Sequence, residues 1–313
     1  MSEAVAGYTP WFSPPDDIPT ASSIGTRALS GDRLDVPIYI YNDEIIRAVN
    51  VAGVTGRPLL VEGPSGCGKS SLAEHVAFTM EWAYYRYTVT SRTQAGDLLY
   101  RIDQLKRLRD AEAGESVDDL GKYIEPGVLW KAFDDRGAAS VRASEKPAPA
   151  DPFRVPKKGA GNGTVLLLDE IDKADPDIPN NLLLPLGSYE FPVDELNFSV
   201  YAQRVPLVIL TTNNERKLPD AFLRRCVNLK LLSPDEERLK AAGQAHYPNA
   251  TPGLVETVAK LLVKTSSEKN RPSTAEYLDT IRACDSLKVN PDSPDWEWLK
   301  QITAWKQTRG TET

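Results

Sequence analysis

The sequence has few of the residues on which disulfide-bonded and zinc-binding proteins depend. Its 313 residues include only three cysteines and two histidines. Cys67, Cys226 and Cys284 lie far apart and form no CxxC pair, which argues against a disulfide framework and a zinc site. His75 and His246 are too scattered to predict a metal cluster.

Long apolar stretches and a basic surplus are also missing. No apolar run approaches the roughly 20 residues that span a bilayer. The N-terminus lacks the charged-then-apolar pattern of a signal peptide, so we expect a cytoplasmic protein without a membrane partner. The net charge of −7 and the pI near 5.1 argue against a general nucleic-acid coat.

The chain is predicted to have three parts. Residues 1–40 are rich in Pro, Gly, Ser and Asp and predict an extended N-terminal arm, whose Trp11 and Phe12 dock either on this chain or on a partner. Residues 41–232 alternate helical patterns with apolar strands such as TVLLLDE and VPLVILTT, which predicts an α/β domain with a parallel sheet. Residues 233–313 predict an all-helical domain, whose first helix has Ser233 as N-cap and Pro234 at the first helical position.

Three segments of the α/β part have their own patterns. AGDLLYRIDQLKRLRDAE has helical spacing throughout and predicts one helix. YEFPVDELNFSVYAQ predicts a β-hairpin. Residues 136–163 are rich in Pro, Ala, Gly and Lys and predict a flexible insertion, either a substrate or partner element or a disordered loop.

A glycine-rich stretch, GPSGCGKSS, joins a predicted strand to a predicted helix. It matches GxxxxGK followed by Ser or Thr, in which backbone N–H groups and the helix N-terminus face phosphate oxygens. In this pattern Lys69 contacts the β- and γ-phosphates, and the Ser70 hydroxyl binds Mg²⁺. Cys67 is interpreted as a small filler, the alternative being a redox role. The predicted nucleotide-binding residues are Gly63, Pro64, Ser65, Gly66, Cys67, Gly68, Lys69, Ser70 and Ser71.

Polar residues follow two of the predicted buried strands. Asp169 and Glu170 follow the apolar run VLLL, where a charge requires a cation or a polar partner. Asp169 would hold Mg²⁺ through water and Glu170 would act as general base on the attacking water, unless the pair simply ends a strand. Asn213 and Asn214 end the next strand, where either could orient that water.

Two arginines, Arg224 and Arg225, lie on a predicted short helix. They either cap the helix C-terminus or include an arginine finger, which stabilises transition-state charge on the nucleotide of a neighbouring subunit.

Together these motifs resemble an AAA+ ATPase and, more narrowly, the MoxR-like group. The resemblance covers roughly residues 42–232 and runs through LLVEGPSGCGKSSLAEHVA, LLLDEIDKADPDIPNNLLLPL, EFPVDEL and LTTNNERKLPDAFLRRC. It implies a P-loop AAA+ core with strand order 5-1-4-3-2, a helical lid domain, ATP and Mg²⁺ as cofactors, and a ring that is usually a hexamer.

The resemblance also implies residue roles. Lys69 and Ser70 correspond to Walker A, and Asp169 and Glu170 to Walker B. The sensor-1 asparagine aligns best with Asn214, followed by Asn213, and the finger aligns best with Arg225, followed by Arg224. Sensor 2 corresponds to Arg271, for which a surface role is the alternative, and the hairpin around residues 189–203 corresponds to the pre-sensor insertion that faces substrate or pore.

For function, the resemblance implies ATP hydrolysis in a ring that remodels or activates a client protein, often with a separate von Willebrand A-type partner. The alternative is a nucleotide-dependent switch or scaffold in a signalling or defence system. A nucleic-acid motor is a third candidate, against which the acidic net charge argues.

Overall fold

The computed structural model describes residues 9–24, 36–141, 163–264, 272–291 and 293–304. Arg271, the predicted sensor 2, and residues 142–162 of the predicted insertion lie outside these described residues. No helix among the described residues is long and apolar enough to cross a membrane.

Five of the strands form one sheet. The order is β2-β5-β8-β1-β9, and the pairs β2/β5, β5/β8 and β1/β8 are parallel. Read from β9, this is 5-1-4-3-2, so the predicted strand order is confirmed. The strands are β1 (Leu59–Glu62), β2 (Ala83–Thr88), β3 (Tyr100–Ile102), β4 (Ile124–Pro126), β5 (Thr164–Asp169), β6 (Glu190–Val193), β7 (Phe198–Tyr201), β8 (Leu207–Thr212) and β9 (Val227–Lys230).

The central strands are apolar along their whole length because both faces of the sheet are covered. Residues Val165 to Leu168 of β5 have no exposed surface, and every residue of β8 is buried. Leu60, Leu166 and Leu210 belong to one apolar core that extends to Trp130 and Phe191. This core holds in place the two strands, β5 and β8, whose carboxyl ends carry the candidate site residues.

The helices flank the strands in the first two thirds of the chain and are the regular elements of the described residues after β9. They are α1 (Ala21–Ile24), α2 (Asp43–Thr55), α3 (Lys69–Thr79), α4 (Ala95–Leu98), α5 (Gln104–Glu112), α6 (Val128–Phe133), α7 (Asp135–Val141), α8 (Asp177–Asn181), α9 (Leu183–Ser188), α10 (Asp220–Leu223), α11 (Glu236–His246), α12 (Leu254–Lys264), α13 (Thr274–Leu287) and α14 (Asp295–Thr303).

Three local predictions are wrong. The predicted single helix in AGDLLYRIDQLKRLRDAE is split into α4, β3 and α5, because β3 pairs antiparallel with the distant β4. Helix α11 begins at Glu236, because the Asp235 carboxylate and not Ser233 caps it, accepting from the Arg238 amide over 2.8 Å. The first residues of the predicted insertion 136–163 are helical in α7, where Asp134 accepts from the Gly137 amide over 3.0 Å.

The chain forms two compact units. The first consists of Met1–Ser13, Asp43–Glu62 and Val76–Leu229, and the second of Pro14–Asn42, Gly63–His75 and Lys230–Thr313. The glycine-rich loop thus belongs to the same unit as the C-terminal helices. The predicted domain boundaries at residues 40 and 232 stay a prediction.

Residues Trp11 and Phe12 pack within the first unit. The Phe12 side chain is buried, and its backbone exchanges two hydrogen bonds with the Asn50 side chain, at 2.8 and 2.9 Å. Trp11 contacts Trp82 edge to face, with ring centroids 5.3 Å apart. Of the two docking places predicted for these aromatic residues, the structure shows the one on this chain.

Candidate functional site

The carboxyl end of β5 places Asp169 in a polar pocket of the first unit. Its Oδ1 accepts a hydrogen bond from the Thr211 hydroxyl on the neighbouring β8, over 2.6 Å. Its Oδ2 lies 2.6 Å from Nη2 of Arg86, on the other neighbouring strand, β2. Because the Asp169 carboxylate is buried, these charge-assisted contacts are strong and compensate its removal from water.

Glu170 is the residue at which the chain leaves β5. Its φ of 61° lies in the left-handed region, which is uncommon for a residue with a side chain and clusters at functional sites. Its amide donates to the Thr211 hydroxyl over 2.8 Å, so one threonine contacts both acids. Its carboxylate accepts from Lys173 Nζ over 2.8 Å, a hydrogen bond that raises the pKa of Lys173.

The two predicted sensor-1 asparagines have different contacts. Asn213 directly follows β8 and donates its side-chain amide to Glu170 Oε1 over 3.3 Å. Asn214, with a φ of 60°, donates towards Glu62 Oε2 at the end of β1, over 3.5 Å. The structure therefore brings Asn213 to Glu170, although the resemblance ranks Asn214 first.

A further acid, Asp172, links the turn after β5 to the loop after β8. Its Oδ2 accepts from the Glu215 amide over 2.8 Å, and its buried Oδ1 has no hydrogen-bond partner among the described residues. Sequence reasoning missed this residue together with Arg86, Thr211 and Lys173. The signal for them was weak, since each is a single polar residue whose partner becomes apparent only when the strands are aligned.

In the second unit, the glycine-rich loop adopts backbone conformations that glycine reaches without strain. Gly66 and Gly68 have φ values of 75° and 93°, in the region that favours glycine. Helix α3 begins at Lys69, whose side chain is buried and donates to the carbonyl oxygens of Gly63 and Pro64, over 2.7 and 2.8 Å. The loop thus holds its lysine over its own backbone.

Two parts of the second unit press against this loop. A Cβ added at Gly68 would lie 3.2 Å from the Tyr39 ring, and one added at Gly66 would lie 2.5 Å from Cβ of Ser273. Ser273 is the N-cap of α13 and forms a reciprocal capping box with Glu276. The close approach of helix α13 therefore leaves no space for a side chain at the tip of the loop.

Cys67 is buried within the loop, and burial raises the pKa of its thiol even though Lys69 is nearby. A thiol in this state is a poor nucleophile. This supports the interpretation of Cys67 as a filler and not as a redox group.

The two candidate finger arginines follow helix α10 and are not part of it. The helix ends at Leu223, with Arg224 at its C-cap, so the prediction that both lie on the helix is wrong. Both side chains are exposed, and Arg225 Nη1 donates to the Leu183 carbonyl over 2.9 Å. An exposed guanidinium at the surface can contact another molecule.

The predicted hairpin is confirmed as β6 and β7, which pair antiparallel. One side is anchored in the core, since Phe191 is buried and its ring centroid lies 6.2 Å from that of Trp130. Phe198 and Tyr201 of β7 are 42% and 56% accessible, although the Phe198 ring centroid also lies 5.6 Å from that of Trp130.

The donor chemistry of the predicted Mg²⁺ residues fits that ion. Mg²⁺ prefers oxygen donors and is usually held by one or two carboxylates together with phosphate oxygens and water. Ser70 offers a hydroxyl and Asp169 a buried carboxylate. Among the described residues, no group of three or more His, Cys, Asp or Glu side chains could hold a metal ion.

The sheet order, the phosphate-binding loop and the acids after β5 define a P-loop ATPase of the AAA+ class, which uses ATP with Mg²⁺. Within this class, the chain matches the profile of the AAA domain, dynein-related subfamily, over residues 58–226. This match covers more than half of the chain, which therefore belongs to that family. A search of curated proteins gave no match. Among solved structures, a RuvB mutant from Thermotoga maritima is similar to this chain. The similar part covers 83% of this chain and 68% of the RuvB chain, with 14% identity and a TM-score of 0.47.

Proposed function

We propose that this chain is a subunit of a MoxR-like ring in the cytoplasm that hydrolyses ATP to remodel or activate a client protein. The observation that carries the proposal is a direct connection along the chain. The exposed hairpin β6–β7 leads into β8, and β8 ends directly before Asn213, which contacts Glu170. A movement of Asn213 during ATP hydrolysis could therefore be passed along β8 to the hairpin, whose exposed apolar residues could bind a client.

The contacts of Glu170 support its role as general base. A carboxylate that accepts from the Asn213 amide is held in one orientation, as a base must be to take a proton from a positioned water. Lys69 would bind the β- and γ-phosphates, whereas Ser70 and Asp169 would hold Mg²⁺ directly and through water. The bound Mg²⁺ neutralises phosphate charge.

The exposed position of Arg225 supports a ring with shared sites. An arginine finger has to reach a neighbouring subunit. The Arg225 side chain is exposed, and its Nη1 donates to the Leu183 carbonyl. Arg224 is the second candidate for this role, and Arg271 is retained as sensor 2. The hexamer, the client and a von Willebrand A-type partner are part of the same proposal.

The proposal is tested first by steady-state ATP hydrolysis as a function of protein concentration. A ring with shared sites gives a specific activity that rises cooperatively with concentration and is lost in Arg225→Ala. Stoichiometric ATP retention without turnover would instead support a switch or scaffold, and stimulation by DNA or RNA would support a motor.

Client binding is tested with the Glu170→Gln variant as a trap, with captured proteins identified by mass spectrometry. The hairpin variant Phe198→Ala/Tyr201→Ala, made in the same background, should lose the captured client. Leu287→Ala is the matched control, because this leucine of α13 is 62% exposed but lies away from the hairpin in sequence. Equal capture by all three proteins would contradict a client site on the hairpin.

A further inference from the structure

Arg86 is a cation that contacts the Asp169 carboxylate directly. Arg86 lies on β2, which pairs with β5 so that Thr88 is opposite Asp169. Its Nη2 is 2.6 Å from Asp169 Oδ2. The side chains of Arg86 and Asp169 are 26% and 7% exposed, so the ion pair is largely shielded from solvent. At this distance no water fits between guanidinium and carboxylate.

The same carboxylate is the one proposed to hold Mg²⁺ through water. Its Oδ1 already accepts from the Thr211 hydroxyl, and Arg86 contacts its Oδ2. A guanidinium is always charged, and its repulsion of a divalent cation is weakly screened where solvent is largely excluded. Both positive charges therefore compete for one negative group.

We propose that Arg86 is a positioning residue that competes with Mg²⁺ for Asp169 and thereby sets the Mg²⁺ concentration at which the nucleotide site fills. The proposal rests on the proposed Mg²⁺ role of Asp169. Without nucleotide, Arg86 compensates the buried charge of Asp169 and stabilises the fold. When Mg²⁺ binds with ATP, the contact between Arg86 and Asp169 weakens.

The experiment is a Mg²⁺ titration of the binding of a fluorescent ATP analogue at fixed concentration. Arg86→Gln keeps a hydrogen-bond donor but removes the charge, so its half-saturating Mg²⁺ concentration should fall about tenfold. Arg86→Lys keeps the charge with a weaker contact, so its value should lie between those of Arg86→Gln and the wild type. Arg101→Gln is the control: it removes an arginine that pairs with Glu125, outside the site, and should leave the value unchanged.

A second variant keeps the outcome clear. If Arg86→Gln does not fold, Arg86→Lys alone decides, because it retains a charge beside Asp169. A half-saturating concentration equal to or above that of the wild type, in whichever variant folds, would overturn the inference.

A second readout does not depend on hydrolysis. The rise in melting temperature on adding Mg²⁺ to protein with a non-hydrolysable ATP analogue should be larger for Arg86→Gln than for the wild type, because its nucleotide-free form has lost the Arg86 charge beside Asp169. Asp169→Asn separates the two proposals. If it leaves the Mg²⁺ dependence unchanged, the role proposed for Asp169 is wrong; if it raises the requirement while the Arg86 variants match the wild type, only the role of Arg86 is wrong.

Discussion

The side-chain amide of Asn213 donates a hydrogen bond to the Glu170 carboxylate over 3.3 Å. The two residues follow the neighbouring parallel strands β5 and β8, and Glu170 has a left-handed backbone conformation. Their contact joins the proposed general base to the strand that continues from the hairpin. We therefore expect changes at either residue to alter ATP hydrolysis.

Glu170→Gln should bind ATP with near wild-type affinity but lose turnover by about 10²- to 10⁴-fold, because an amide cannot accept the proton of the attacking water. Nucleotide affinity is measured with a fluorescent analogue and turnover by phosphate release. Lys69→Ala is the contrasting variant and should lose binding itself. Normal turnover in Glu170→Gln would show that another group is the base.

Asn213→Ala should lower kcat more than Asn214→Ala does, by about tenfold or more, since it removes a hydrogen bond to a charged group. Because Asn213 acts on the base and not on ATP affinity, KM should change little. Steady-state kinetics of the two variants distinguish the sensor-1 candidates. A larger loss in Asn214→Ala would restore the order that the sequence resemblance gives.

A mixture of Lys69→Ala and Arg225→Ala proteins should regain activity that neither has alone. With random mixing in a ring, about a quarter of the interfaces combine an intact phosphate loop with an intact arginine from the next subunit. Phosphate release from equal mixtures measures this. Lys69→Ala mixed with Glu170→Gln is the control: it should stay inactive because every nucleotide site lacks one of its own residues.

Gly66→Ala should destabilise the second unit, because a left-handed φ of 75° costs an alanine about 1–2 kcal/mol and its Cβ would meet Ser273. Gly253→Ala is a matched control in the same unit, with a φ of 78° and open space around it, so it reports the backbone cost alone. Urea unfolding of both variants gives the difference. Equal losses would mean that the neighbouring helix moves aside at no cost.

His75 should make the protein less stable as the pH falls. Burial lowers its pKa from 6.5 to about 4, so the unfolded chain binds a proton that the folded chain refuses. The stability is present above pH 6.5 and falls by about 3 kcal/mol as the pH drops through the interval to 4. His75→Gln should flatten this part of the unfolding profile, and His246→Gln, the variant at the other histidine, serves as control. A profile unchanged by His75→Gln would contradict the argument.

The central strands of the sheet were predictable because they are continuous apolar runs, and the site residues were predictable because their motifs are local in sequence. Contacts between distant residues were not predictable. Arg86 lies outside the quoted motifs, and Thr211 lies in one without a predicted role. Each contacts Asp169 because β2, β5 and β8 are neighbouring strands. Strand β3 was missed for the same reason, since its helical spacing is overridden by pairing with β4.

The start of α11 shows a local limit as well. Ser233 and Asp235 are both good N-cap residues, and sequence alone does not decide between two acceptors separated by one residue. The structure places Asp235 at the cap, where it accepts from the Arg238 amide.

The close fit of Gly66 against Ser273 also limits how this chain can exchange parts with its relatives. The two residues are far apart in sequence but belong to one compact unit, and a side chain added at Gly66 would meet Ser273. A chimera that replaces only the sequence after Leu232 would separate the loop from the helix to which it is fitted. A stable chimera therefore has to take two separate segments, the loop and the C-terminal helices, from the same protein.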